Sequence, residues 1–223
     1  MHLHDDRTQH TIHRLEAFSD IVIGFCLAQL GLNLVLPKAA TDVVTVWGST
    51  TFFITAFIFI GLLWWLHHRT FGTYFVLNAP MVIMNFGVLC GLILTLYFFE
   101  SVVRVAASGQ NPVVFFKLFA VSFALVYLLM GGTLLIGLLL RRSELGVSDV
   151  RWAISQLTAV AITVFFFVGA AITAAHPARI IYAAIIAYVL VFFVRRVLVP
   201  RWLGQAIPEA RPSPSAVTEA DVT

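Results

Sequence analysis

The residues able to do chemistry in this chain are few, and they gather at two places. The first is the stretch Arg14-Leu-Glu16-Ala-Phe18-Ser19-Asp20, which runs directly into the apolar segment Ile21-Val-Ile. A carboxylate at the edge of an apolar run needs a cation or hydrogen-bond donors to offset its lost hydration. Glu16 and Asp20 are also like charges four residues apart, unfavourable on one helix face unless outside groups meet them. Arg14, six residues before Asp20, is an indifferent same-helix partner. Ser19 and Asp20 either cap a helix N-terminus or lie inside a helix that begins earlier, near Thr11. The second cluster, Trp64-Trp65-Leu66-His67-His68-Arg69, closes the next apolar run. A contact from Asp20 to His67 or His68 across two helices fits this pattern, and so does a water-exposed interfacial His pair.

Further polar residues follow Asp20 at helical spacing. Val22, Cys26, Gln29 and Asn33 fall on one stripe, and Phe25, Gln29, Leu32 and Leu36 on its neighbour. An amide in the middle of an apolar run meets either a polar group on another helix or a water-filled path. Gly24 and Gly31 would permit close helix approach in either case. Cys26 and Cys90 read as small buried hydrophobes, with no metal site implied.

Catalytic patterns are missing. There is no Gly-rich phosphate loop, no H-E-x-x-H, no paired intramembrane carboxylate and no Ser/His/Asp set at matched depth. An enzyme is not expected, and neither is a cofactor. Haem ligation would need His on facing helices, and no His sits mid-span. A Thr-Val-Gly-Tyr-Gly carbonyl filter is also absent.

The elements that must hold these residues follow from composition. The 223 residues are 60% hydrophobic and 11% charged, against about 45–50% and about 25% in soluble domains. Twenty Phe argue against disorder, and two Cys against a disulfide scaffold. Charges are lacking over 21–37, 43–68, 70–99, 118–140 and 152–178, and over the shorter 180–194. Each gap suits a helix crossing the hydrocarbon core with about 20 apolar residues. The expected fold is all-α and polytopic, with six transmembrane helices near 17–36, 44–66, 79–99, 113–140, 152–175 and 179–199. Continuous apolar runs without alternation exclude a β-barrel. Pro37, Asn78-Ala79-Pro80, the turn cluster 108–112 and His176-Pro177 mark the breaks. A transmembrane domain over 1–207 is followed by a disordered cytoplasmic tail, 208–223. No cleavable signal peptide is visible.

Ten of the 14 Lys and Arg residues fall on the face shared by both termini and four on the other. The positive-inside rule then puts both termini in the cytoplasm, in a multi-pass cell-membrane protein. The Arg residues are spread over loops, so nucleic acid is not a partner.

The Arg14-x-x-x-Phe18-Ser19-Asp20 pattern on the first helix resembles the signature of the transmembrane protein 175 family, the endolysosomal potassium channels and their bacterial relatives. The Trp64-Trp65-x-His67-His68-Arg69 ending of helix two is similar to that family as well, and six spans match a bacterial single-repeat member. The specific motifs are confined to about residues 14–71. The resemblance implies a homotetramer in the lipid bilayer, with first helices around a central pore passing potassium and other monovalent cations. It implies an apolar constriction on helix one instead of a carbonyl filter, at positions matching Phe25, Ala28 or Gln29, and Leu32. It further implies a structural polar network of Arg14, Ser19, Asp20 and His67 or His68 beside the pore. The chain departs from the pattern at Ile21, where Gly is common, at Ala28, where a Thr layer is common, and at Asn33, where an acid is common. The absent Thr layer weakens the expected preference for potassium. A small secondary transporter and a non-conducting membrane scaffold are the alternatives. The transporter would need an inverted repeat, and the second half contains no copy of Phe-Ser-Asp or His-His-Arg.

Overall fold

A computed structural model describes residues 2–32, 43–173, 186 and 188–198. The described residues form helices and no strands. They are α1 (His2–Leu32), α2 (Val43–Tyr74), α3 (Ala79–Ala107), α4 (Val113–Leu140) and α5 (Val147–Thr173). Helical residues 188–193 run into a π-helical turn at Val194–Leu198, which packs against α5. The expected sixth span, 179–199, is therefore described only in part, and the tail 208–223 lies outside the described residues. Four segments, Thr8–Leu32 and all of α3, α4 and α5, are long and apolar enough to cross a membrane. The uncharged run 43–68 lies inside α2.

Local chemistry explains the boundaries. The Asn78 side chain caps α3 by accepting the Met81 N–H at 2.9 Å, with Pro80 in the first turn where no N–H is needed. Gly109, at φ 74°, turns the chain between α3 and α4, a backbone region that favours glycine. Several helices outrun their apolar stretch. α1 begins at His2 and α2 reaches Tyr74, because a gap in charge bounds the part suited to lipid and not the helix itself.

Neighbouring helices are antiparallel and approach through small residues. A Cβ on Gly91 would stand 2.8 Å from Val126, and one on Gly131 would stand 2.7 Å from Val160. A Cβ on Gly132 would collide with the end of Met84, and one on Gly137 with the Tyr74 carbonyl. Without hydrophobic drive inside lipid, such close approach is what gives helices their contact energy. Gly24 and Gly31 do not serve this purpose within the chain: Gly24 faces open space and Gly31 lies at ordinary contact distance from Phe53. α4 is central, touching α2, α3 and α5, while α1 packs on α2 and α3. The main core joins Ile23, Cys26 and Leu30 of α1 to Ile60 and Leu63 of α2, Val88 and Leu92 of α3, Phe123 and Val126 of α4, and Phe167 of α5.

The C-terminal end of α2 is clamped to α4 and α5. The Arg141 guanidinium donates to the Thr73 carbonyl at 2.8 Å, satisfying an acceptor that the helix end leaves open. The Tyr74 hydroxyl donates to the Asp149 carbonyl at 2.7 Å, and Arg69 lies 4.2 Å over the Trp152 ring. Burial and the nearby Asp149 carboxylate push the Tyr74 phenol up to about 12.

Candidate functional site

α1 divides the candidate residues between two faces. Ser19, Ile23, Cys26 and Leu30 turn into the bundle and are buried. Phe25, Ala28, Gln29 and Leu32 all turn away from it, with Phe25 71% and Leu32 80% exposed. Ile21 (70% exposed) and Phe18 continue this outward face toward the N-terminus. The stripe of Val22, Cys26 and Gln29 is split by the fold: Cys26 is core and Gln29 is outward. Asn33 and Leu36 lie outside the described residues. Cys90, expected inside, is exposed on α3.

The polar residues of the bundle-side face meet α2 and α3 at three successive levels. At the first, the Glu16 carboxylate lies 3.0 Å from His68 Nδ1 and 3.7 Å from His13 Nδ1. At the second, Ser19 Oγ accepts from Asn85 Nδ2 at 3.1 Å while donating to the Leu15 carbonyl at 2.9 Å. Asn85 Oδ1 in turn lies 2.8 Å from His67 Nε2. At the third, the Asp20 carboxylate accepts the Trp64 indole N–H at 2.8 Å. The Trp64 and His68 rings stack, as do those of His67 and Phe71.

The expected pairing of Asp20 with His67 or His68 is thus replaced. Both His residues are engaged elsewhere, and the Asp20 charge is met by an indole N–H and by its place at the edge of the apolar run. This also resolves the crowding of Glu16 and Asp20, since each has its own donor on α2. Arg14 is not brought to the network. Six residues from Asp20 is an angular offset of about 240° at 3.6 residues per turn, and its side chain is exposed. Ser19 does not cap the helix; it lies inside a longer one and bonds its own carbonyl four residues back.

Asn85 is the residue that the sequence patterns left unnoticed. It is 2% exposed and joins α1, α2 and α3. The four other buried polar side chains among the described residues, all hydroxyls, make no such contact. Thr70, Thr95, Ser122 and Thr133, like Ser19, donate to a carbonyl three or four residues back on their own helix. Among the described buried polar side chains, the Ser19–Asn85–His67 set is therefore what crosses between helices. A usable signal existed: Asn85 is a lone amide in the apolar run Met81-Val-Ile-Met-Asn-Phe, and an amide in lipid needs a partner. No group of His, Cys, Asp and Glu among the described residues is arranged to hold a metal ion.

Residues 14–95 match the model of the TMEM175 family, described as the endosomal/lysosomal potassium channel TMEM175. Over these residues the chain is similar to that family. The TMEM175 match spans most of α1, all of α2 and the first part of α3, so it contains every member of the three-level polar contact except His13. α4 and α5 lie beyond it. No curated protein and no solved structure matches the chain.

Proposed function

We propose that the chain is a subunit of a potassium-permeable, weakly selective cation channel, with α1 from four copies lining a central path. The observation that carries this reading is the outward face of α1. Phe25, Ala28, Gln29 and Leu32 share it, and the bundle covers none of them. The TMEM175 match over this same helix supports a channel over other uses of such a face.

Conduction past this face would be governed by apolar side chains. A ring of Phe25 and a ring of Leu32 are narrow and poorly wetted, so they set a steric and dewetting barrier. Gln29 offers an amide carbonyl at the level between them, a partial replacement for lost ion hydration. No ring of charge lies among these positions, so preference among monovalent cations would rest on size and the ease of shedding water. Ala28, where the family often carries Thr, supplies no hydroxyl layer. The role assigned to Ser19, Asp20, His67 and His68 is structural: they hold α1 against α2 and α3 with its apolar face turned outward. Arg14 has an exposed position and no part in that hold. No bound cofactor and no catalytic step belong to this function. The ten-to-four distribution of Lys and Arg supports a cell-membrane protein with both termini cytoplasmic.

The test is reconstitution into liposomes under a potassium gradient. A cation flux that discharges the gradient is expected. The absence of any flux across a range of voltage and pH would overturn the proposal. Fourfold symmetry of the detergent-solubilised particle, with α1 on the axis, is the matching structural outcome.

A further inference from the structure

Three helices meet at one corner of the bundle, and each brings arginine to it. Arg69 directly follows the uncharged run 43–68, Arg141 and Arg142 directly follow the run 118–140, and Arg151 directly precedes the run 152–178. Those runs are the parts suited to hydrocarbon, so all four guanidinium groups fall where the phosphates of a bilayer begin. The corner is a fixed structure. Tyr74, Leu134, Leu138 and Ala153 form its buried core, with Trp152 packed against them. The Arg141 bond to the Thr73 carbonyl and the Tyr74 bond to the Asp149 carbonyl hold the ends of α2, α4 and α5 together. Tyr and Trp, with an apolar body and a polar tip, also settle at the membrane–water interface.

Within this corner Arg69 is held but not satisfied. Its guanidinium lies 4.2 Å over the Trp152 ring, a contact that fixes the cation between α2 and α5 but uses none of its N–H groups. The side chain is half-buried, and no acceptor among the described residues takes its hydrogen bonds. Arg69 and Arg142 form no ion pair among those residues either. The carboxylates of the corner are Glu144, which binds Arg141 at 3.0 Å, and Asp149, so four arginines stand against two acids. A guanidinium presents a planar fork of donors that fits two oxygens of one phosphate. A phospholipid carries its phosphate at this depth and lays its acyl chains on exposed apolar side chains such as Leu139 and Leu140, which directly precede the α4 arginines. A soluble anion would gain the charge contacts and nothing from that apolar surface.

We propose that this corner binds the headgroup of an anionic phospholipid, with the Arg69 guanidinium donating to its phosphate oxygens and with Arg142 and Arg151 adding charge. The lipid fills donors that the fold leaves open and braces α2 against α4 and α5 from outside. The site does not depend on the channel reading, because lipid binding is read without ion flux.

The test is native mass spectrometry of the full chain released from detergent micelles, titrated with phosphatidylglycerol or with phosphatidylcholine of the same acyl chains. The wild type should bind phosphatidylglycerol at least about fivefold more tightly, the worth of one arginine near an anionic lipid surface. Arg69→Gln should lose about fivefold for phosphatidylglycerol and close most of the gap between the two lipids. Arg14→Gln, which removes an exposed arginine of α1 outside the corner, should leave that gap open. Arg69→Lys keeps a cation beside Trp152 and loses the fork, so its affinity should fall between wild type and Arg69→Gln; it takes the place of Arg69→Gln if that chain is not monodisperse. The proposal is overturned if the two lipids bind alike, if the Arg69 variant weakens binding no more than Arg14→Gln does, or if millimolar inorganic phosphate displaces the lipid, which would assign the corner to a soluble anion.

Discussion

Replacing Asn85 by Leu removes the three-helix contact while keeping the number and branching of the side-chain heavy atoms. Asn85 is 2% exposed, so what it touches is not offset by bulk water. Two partners are affected unequally. His67 Nε2–H, now buried without an acceptor, loses about 1–3 kcal/mol. Ser19 Oγ keeps its bond to Leu15 and loses only an accepted one, about 0.5–1.5 kcal/mol. Interhelical hydrogen bonds inside membranes average lower, about 0.6 and at most about 1.7 kcal/mol, because the unfolded chain in lipid also finds partners. The expected loss is therefore about 1–3 kcal/mol. Thr95→Val is the control. Thr95 is equally buried, but its hydroxyl donates to Gly91 on its own helix at 2.7 Å, and its removal breaks no contact between helices. That change is expected to stay within about 0.5 kcal/mol, since an apolar group of the same shape replaces a locally satisfied hydroxyl. Reversible unfolding in mixed micelles of rising SDS content, followed by tryptophan fluorescence, measures all three chains. A double-mutant cycle between Asn85→Leu and Ser19→Ala should show coupling of about 0.5–1.5 kcal/mol. An Asn85→Leu chain that unfolds within about 0.5 kcal/mol of Thr95→Val would refute the view that this contact holds α1.

Three further outcomes are expected. Phe25→Ala should change single-channel or flux-assay conductance more than Phe192→Ala, which alters a comparably exposed ring (71% against 62%) outside α1; equal effects would remove Phe25 from the conduction path. Gly137→Ala should destabilise the fold by about 1–3 kcal/mol, since its Cβ meets a backbone carbonyl that cannot swing aside, whereas Gly169→Ala, in open space, should be neutral or stabilising through helix propensity; SDS midpoints that move in the same direction would contradict this. The Tyr74 phenol, with its ionisation raised from 10.0 to about 12, favours the folded state below pH 10, and that contribution should be lost as pH rises through 12; the difference between the ultraviolet titrations of the wild type and Tyr74→Phe should be one late-ionising tyrosine, and a difference with its onset near 10 would contradict the burial argument.

Much of the fold is legible because the bilayer imposes one rule. A span must be apolar over its full length, so gaps in the charge pattern mark the helices. Their ends are less legible, because nothing in that rule stops a helix from continuing into water, as α1 does back to His2. At the site, residue types identified the partners only loosely. Pairing Asp20 with a histidine follows formal charge, yet the indole of Trp64 supplies the donor, and the histidines serve Glu16 and Asn85. Asn85 escaped notice because it belongs to no motif. The argument applied to Gln29, that an amide in an apolar run needs a partner, would have found it.

The two amides give the arrangement its direction. Asn85 faces inward and meets two partners, while Gln29 sits on the outward face with Phe25 and Leu32. α1 is consequently held in two different ways along its length. From Glu16 to Asp20 it is fixed by directional bonds at three levels, to His68, Asn85 and Trp64. From Ile23 onward it is held to the bundle chiefly by apolar contacts through Ile23, Cys26 and Leu30, with Gly31 only brushing Phe53 at 3.9 Å. Apolar contacts inside lipid exchange for lipid contacts at little free-energy difference, whereas each directional bond leaves an unsatisfied group when broken. A movement of α1 would therefore pivot near Asp20 and displace Leu32 more than Phe18. On the channel reading, the Leu32 level is the part of the constriction that opens most easily, and the Glu16–Asp20 contacts are the fixed end against which it opens.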